Sequence, residues 1–307
     1  MKRAVLTGGT GFVGANLARR LLREGHEVHL LVRPEHNPWR IKEIAHSVHL
    51  HEWNGMDMPG IVRTLDTIQP HWIFHLAAHG AYSWQNDFAQ IVQTNVSGTA
   101  CLVEAALQVG FEAFVNTGSS SEYGFKDHAP SEEEPVEPNS HYAVTKASAT
   151  LYCRFSAQKN KVRIPTLRLY SVYGAYEDPN RLIPAIISNG LLGKWPPLVN
   201  PKISRDYVYI DDVCDAYLLA ATTEHTDHGA IYNVGTGVQT SLAQVVETAR
   251  WVMKIEAEPQ WGSMPDRKWD TDIWVANSQK IQRELGWKPR YSFEAGLRES
   301  LSYYQVG

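Results

Sequence analysis

Tyr142 and Lys146 stand four residues apart in a stretch with helical spacing, so they share one helix face. An ammonium beside a phenol favours the tyrosinate and turns a group that is weakly acidic in water into a usable proton carrier. Upstream, Asn116-Thr117-Gly118-Ser119-Ser120-Ser121 follows an apolar run and reads as the end of a strand. Sites gather at that end of parallel sheets, and a hydroxyl there could hold a substrate oxygen beside Tyr142. Serines in such turns also cap the next helix, a reading that suits two of the three.

A second constellation points to a nucleotide. Gly8, Gly11 and Gly14 are evenly spaced, directly after the run Ala4 to Leu6 and at the start of a helical pattern. Small residues there make a tight turn, let backbone N–H groups approach a pyrophosphate, and let helix pack on strand. The next strand ends near Val32, where an acidic residue would accept from a ribose 2′-hydroxyl; Arg33 follows instead. An arginine suits the 2′-phosphate of NADP through charge and planar donor geometry, so NADP(H) is favoured over NAD(H). The alternative for Arg33 is a solvated loop residue.

These groups need a scaffold, and the periodicity supplies one. Ala4–Leu6, Val28–Val32, Trp72–Leu76, Ala113–Asn116 and Arg163–Leu169 read as buried strands, with helical stretches between them. The segment Gly14–Glu24 is such a helix, with Leu17, Leu21 and Leu22 on one face. Strand and helix in alternation predict an α/β fold, a Rossmann-like doubly wound parallel sheet covered on both faces. After Tyr173-Gly174 the segments shorten and proline, glycine and tryptophan become frequent. Residues 1–173 with 205–225 are therefore read as the dinucleotide-binding domain, and 174–204 with 226–307 as a smaller α/β substrate-binding lobe.

Bulk properties narrow the function classes. The chain has 307 residues and a formal charge of −4, which gives no sign of nucleic-acid binding. Cys101, Cys153 and Cys214 are odd in number and widely spaced, which argues against a disulfide framework or zinc site and fits a reducing cytoplasm. The opening apolar run is too short for a signal-peptide core or a membrane span. His75 and His79 flank a strand end rather than a helix face, so no metal is expected from them. His79, Tyr82 and Ser83 are placed in a pocket wall, the ten tryptophans mostly in lobe packing, and Glu132-Glu133-Glu134 in a solvated loop.

Taken in order, the motifs resemble the extended short-chain dehydrogenase/reductase family of nucleotide-sugar epimerases, dehydratases and reductases. They are Thr7-Gly8-Gly9-Thr10-Gly11-Phe12-Val13-Gly14, His75-Leu76-Ala77-Ala78, Thr94-Asn95-Val96-Ser97-Gly98-Thr99 and Ser119-Ser120-Ser121-Glu122-Tyr123-Gly124. The Tyr142/Lys146 pair, Arg168-Leu169-Tyr170-Ser171-Val172-Tyr173-Gly174, Arg205-Asp206-Tyr207-Val208, Tyr232-Asn233-Val234-Gly235 and Leu285-Gly286-Trp287 continue the likeness. The resemblance implies that Tyr142 is the acid/base, that Lys146 holds the nicotinamide ribose and lowers the tyrosine pKa, and that Ser119 is the catalytic hydroxyl. It implies a cofactor bed of Gly8, Gly11, Phe12, Val13, Gly14, Arg33, Leu76, Ala77, Ala78 and Asn95. Substrate contacts would be His79, Ser120, Ser121, Asn180, Arg205 and Arg267, the ligand a nucleotide-diphosphate sugar, and the assembly a homodimer.

The reaction is read from what surrounds the pair. The 4,6-dehydratases of this family look like Thr-Asp-Glu-x-Tyr-Gly, whereas here Ser119, Ser120 and Ser121 precede, and Glu122 is displaced by one position. Elimination is thus disfavoured. Arg33 and the stretch Pro265-Asp266-Arg267 to Val275-Ala276-Asn277 resemble the CDP-4-keto-6-deoxyhexose reductases (the paratose and abequose branch). The first expectation is an NADPH-dependent 4-ketoreductase of a nucleotide-4-keto-6-deoxyhexose. The alternatives are a 4-epimerase with retained NAD, a 4,6-dehydratase, and a non-catalytic NAD(P)-binding sensor or scaffold.

Overall fold

Strands of four to seven residues, most with a short apolar stretch, fold in parallel and are crossed over largely by helices. The computed structural model describes residues 1–82, 84–224, 227–264, 271 and 273–306. The first half runs β1 (Arg3–Thr7), α1 (Phe12–Arg23), β2 (Glu27–Val32), β3 (His49–Glu52), α2 (Met58–Ile68), β4 (Trp72–His75), α3 (Phe88–Val92) and α4 (Gly98–Val109). It continues through β5 (Ala113–Ser119), α5 (His141–Asn160), β6 (Thr166–Leu169), β7 (Ser171–Tyr173), α6 (Leu182–Gly190), β8 (Ser204–Arg205) and β9 (Tyr207–Tyr209). The last elements are α7 (Ile210–Thr222), β10 (Ile231–Val234), β11 (Thr240–Ser241), α8 (Leu242–Met253), α9 (Gln279–Leu285) and α10 (Phe293–Val306).

Seven strands form one sheet in the order β10-β6-β5-β4-β1-β2-β3, and every neighbouring pair is parallel. Chain order reverses between β1 and β4. That is the switch point where open parallel sheets bind ligands, beyond the carboxyl ends of the strands. Side chains alternate across the sheet with period two. Ala4, Leu6, Val28, Leu30, Phe74 and Val115 pack on one face against α1 and α7. Val5, Leu31, Ile73 and Phe114 pack on the other, against Leu65, Leu102, Val103, Ala106 and Cys153. Beyond the sheet, α6, α8 and the antiparallel β8–β11 pair make a smaller layer, while β7 and β9 pair in parallel.

Two readings from sequence change, and one strand had no counterpart among them. The segment 226–307 is not confined to the lobe: β10 joins the main sheet as an edge strand beside β6. Its short run hides polar Asn233, which tertiary hydrogen bonds satisfy. The edge strand β3 has no apolar run at all, because most of its residues face solvent. Helix α1 begins two residues earlier than its leucine stripe suggests, because Gly11 is its N-cap. The three cysteines are unpaired, and among the described residues no helix is long and apolar enough to cross a membrane.

The glycine turn that joins β1 to α1 is tight in a way only glycine permits. Gly8 has φ +67° and lies against Leu76 and Ala77; a Cβ on Gly14 would sit 2.3 Å from the Gly8 carbonyl oxygen. The obstacle is backbone, so the turn itself must open. Gly14→Ala is therefore expected to weaken dinucleotide binding at least about tenfold while secondary structure persists, since the lost feature is backbone approach to pyrophosphate. Fluorescence titration with NAD(H) and NADP(H) checks this, and unchanged affinity would refute the role of the turn.

Candidate active site

The N-terminus of α1 follows Gly11 with no side-chain cap and no acidic residue in its first turn. Its leading N–H groups, at Phe12 and Val13, are therefore available to an anion. The second wall comes from the residues after β4. Thr99 Oγ1 donates to the Asn95 carbonyl at 2.7 Å, so His75 Nε2 donates to Thr99 at 2.8 Å. His75 Nδ1 then accepts from Thr7 Oγ1 at 2.7 Å, and Thr7 Oγ1 accepts the Ala77 N–H at 3.2 Å. Burial drives the His75 pKa down to about 3, so the ring is a neutral strut. Both its nitrogens are occupied. Leu76, Ala77 and Ala78 are thereby pinned against the glycine turn.

Asn95 performs a related task. Its Oδ1 accepts from the His79 N–H at 2.8 Å, and its Nδ2 donates to the His79 carbonyl at 2.8 Å and to Thr145 Oγ1 at 3.0 Å. All its amide protons are committed, so Asn95 holds the wall to α5 rather than offering a donor to a ligand. It sits in a single π-helical segment, Gln93–Ser97, which turns it inward.

On α5, Tyr142 and Lys146 share the face toward the end of β5. Lys146 is almost fully buried, with 2% of its surface exposed, and among the described residues its ammonium has no hydrogen bond or ion pair. Burial holds its pKa below the ordinary lysine value, partly offset by Glu122. The Tyr142 phenol is pushed up to about 12 by burial, while the Ser119 hydroxyl beside it and the more distant Arg181 favour its ionised form. Lys146 is not among the groups that lower Tyr142.

Ser119 also caps the 3-10 turn Ser120–Tyr123: its Oγ accepts from the Ser121 N–H at 3.2 Å and lies 2.8 Å from Ser121 Oγ. Glu122 turns away from the cleft. Its carboxylate accepts from the Ser119 N–H (2.8 Å), Thr150 Oγ1 (3.0 Å) and Arg168 Nε (2.9 Å), with no exposed surface. The Arg168 guanidinium lies 4.5 Å over the Tyr123 ring, whose hydroxyl donates to Asn233 Oδ1 at 2.8 Å.

The substrate-side residues fall into two groups. Ser120 Oγ accepts from Trp274 Nε1 at 3.2 Å, and the Arg205 guanidinium stacks 5.4 Å from the Trp274 ring. Ser120, Trp274 and Arg205 thus form one wall. On the other side Tyr82 stacks on Trp84 at 4.5 Å, with Arg181 5.5 Å over the Tyr82 ring. Asn180 is exposed in the turn beside Arg181 and bonds Asp178 at 2.9 and 3.1 Å. Arg33 is exposed at the end of β2, near the partly buried His79, and among the described residues its guanidinium has no hydrogen bond or ion pair. Arg267 and Ser83 lie outside the described residues.

Arg181 and Trp274 went unmarked in the sequence, and Glu132 was misplaced. Glu132 does not belong to a solvated loop: it is buried and accepts from the Asn233 N–H at 2.8 Å, tying residues before α5 to β10. Only long-range pairing reveals that, although a cation next to Asn180 could have drawn notice to Arg181.

The site suits a nicotinamide dinucleotide: an uncapped helix N-terminus behind a glycine turn, and a buried lysine without a partner. Fold and site together define an NAD(P)-dependent enzyme of the extended short-chain dehydrogenase/reductase class. The chain belongs to the NAD dependent epimerase/dehydratase family, whose sequence profile matches residues 4–235. It is 30% identical over 312 residues to a UDP-glucose 4-epimerase of Mycolicibacterium smegmatis, covering 99% of this chain and 98% of that one. It is 29% identical over 314 residues to a dTDP-glucose 4,6-dehydratase of Streptomyces griseus, covering 98% and 93%. The structure of UDP-glucose 4-epimerase from Thermotoga maritima with UDP-glucose superposes with TM-score 0.89 at 26% identity, covering 99% of both chains. The UDP-glucose 4-epimerase of Thermus thermophilus in complex with NAD gives 0.86 at 26% identity, again covering 99% of each.

Two outcomes follow from the geometry. Glu122→Gln leaves Arg168, 3% exposed, without its counter-charge. This is expected to destabilise the fold by about 3–5 kcal/mol, read as a lower urea midpoint, and pairing Glu122→Leu with Arg168→Met should recover most of it. Because the Ser119 hydroxyl lowers the Tyr142 pKa, Ser119→Ala should raise it. The limb of kcat/KM that rises with pH in the oxidative direction then moves to higher pH, and turnover near neutrality falls; an unmoved limb would refute the contact.

Proposed function

We propose that the protein interconverts nucleotide-diphosphate sugars by reversible oxidation at C4, as a 4-epimerase with a retained nicotinamide dinucleotide. The observation that carries this reading is the commitment of Glu122 to Arg168. Ser120 and Ser121 offer hydroxyls where elimination would require carboxyl groups, which favours proton and hydride exchange at one carbon. The 4-epimerase relatives support the same conclusion.

In this reading the Ser119 hydroxyl and the Tyr142 phenol bracket the C4 oxygen. Tyr142 takes the hydroxyl proton as C4 is oxidised and returns it when the carbonyl is reduced. Lys146 holds the nicotinamide ribose, and the N-terminus of α1 the pyrophosphate. A nicotinamide bound there supplies the acceptor and donor of the C4 hydride. Arg205, Arg181 and the Tyr82–Trp84 stack hold the nucleotide diphosphate, and the turn of the keto sugar takes place between the two walls. The exposed apolar stripe Val144, Leu151 and Phe155 on α5 supports pairing of two copies.

Arg33 favours a second reading. A guanidinium without a partner at the end of β2, where no acidic residue meets a 2′-hydroxyl, suits NADP(H) and hence a 4-ketoreductase that releases its cofactor.

Nicotinamide absorbance with product NMR separates these readings, using UDP-glucose, dTDP-glucose and 4-keto-6-deoxy sugars. A C4 epimer formed without net change in absorbance is the expected result. Stoichiometric NADPH oxidation by a keto sugar would replace it with the reductase, and a 4-keto-6-deoxy product would overturn the argument from Glu122. In either hydride reaction Tyr142→Phe should lower kcat about 10²–10⁴-fold and leave nucleotide affinity within about twofold. Unchanged turnover would rule out Tyr142 as the proton carrier.

A further inference from the structure

The open edge of the main sheet carries a cluster that the reaction does not use. β2 and β3 pair in parallel with His29 opposite His49. Residues opposite one another, and residues two apart, point to the same face of a sheet. Glu27 and His29 of β2 and His49 and His51 of β3 therefore project together.

Their atoms converge. His29 Nε2 lies 3.1 Å from Glu27 Oε1, and His49 Nε2 lies 3.8 Å from the same oxygen. One ligand atom from each of Glu27, His29 and His49 falls within 4.8 Å of the others. Tetrahedral zinc, with bonds near 2.0–2.2 Å, sets its ligands about 3.3–3.5 Å apart. The two separations from Glu27 bracket that value and the His29–His49 pair stays within 4.8 Å, so side-chain rotations would complete the set. The His29 and His49 rings stack at 4.7 Å.

We propose that Glu27, His29 and His49 form a binding site for one divalent transition-metal ion of the zinc class, oriented by His51. His51 Nε2 is 3.0 Å from His29 Nδ1 and so engages the ring nitrogen that faces away from Glu27. That is the arrangement by which a neighbour fixes the tautomer and direction of a ligating imidazole. His29 is buried at 6% exposure, and His49 lies at the open mouth with a side chain 59% exposed. An ion thus has a fixed floor and a route in, and beside His51 opens a cleft of about 310 Å³ lined also by Trp53, Asp57 and Arg63. The ion would clip the four-residue edge strand β3 to β2. Water or a further ligand would fill the remaining coordination position.

The test adds Zn2+ and, separately, Co2+ to the full chain after chelator treatment and dialysis. One tightly held equivalent is expected, with visible Co2+ absorption of low-symmetry coordination and a thermal midpoint raised by roughly 5 °C at a hundredfold excess over Kd. Glu27→Gln and the exposed His49→Asn should each lose the Co2+ band and at least tenfold in affinity, whereas His46→Asn should retain both. Circular dichroism confirms that the variants are folded. Absence of a tight equivalent in the parent chain, or binding unaltered in both Glu27→Gln and His49→Asn, would overturn the proposal.

Discussion

Behind the turn Ser120–Tyr123, a carboxylate with no exposed surface meets a guanidinium, and much of the site depends on that contact. Glu122 joins the end of β5, through the Ser119 N–H, to Thr150 on α5 and Arg168 on β6. Three elements that bear or flank the reactive groups are thereby fixed to one another. An ion pair so deeply buried adds little net stability compared with a well-packed apolar core, because desolvation offsets the attraction. Its value lies in specificity of arrangement. Neither charge can be left alone there, so the turn that presents Ser119 has one satisfactory conformation.

The same economy governs the nucleotide wall. His75 is a residue type associated with proton transfer and metals, but between Thr7 and Thr99 it is a neutral spacer. Asn95, in the motif that the resemblance assigns to cofactor binding, commits its amide to His79 and Thr145. These groups position the site without facing it. A ligand bed made of backbone N–H groups and small residues needs such support, because it has no side chains of its own to hold its shape.

The burial of Glu122 also shapes the chemistry. Held by Arg168, its carboxylate cannot leave without exposing a bare charge. The residues that remain are hydroxyls, a phenol and an ammonium, a set suited to moving one proton while a hydride moves nearby. Arg181 adds a cation that favours the ionised form of both Tyr82 and Tyr142.

By itself the sequence determined the parallel sheet, the glycine turn, and the placing of Tyr142 and Lys146 on one helix beyond the strand that ends at Ser119. Those features are local: period-two and helical patterns, turn residues and i, i+4 spacing hold wherever the segment sits. Tertiary structure alone decided the direction of Glu122, the placing of β10 and β3 in the sheet, and the burial of Glu132. Each depends on a partner more than a dozen residues away, such as Arg168 for Glu122 or Asn233 for Glu132. A polar residue in a short segment looks the same in sequence whether water or a buried partner satisfies it, and only the packed chain brings that partner within hydrogen-bond reach.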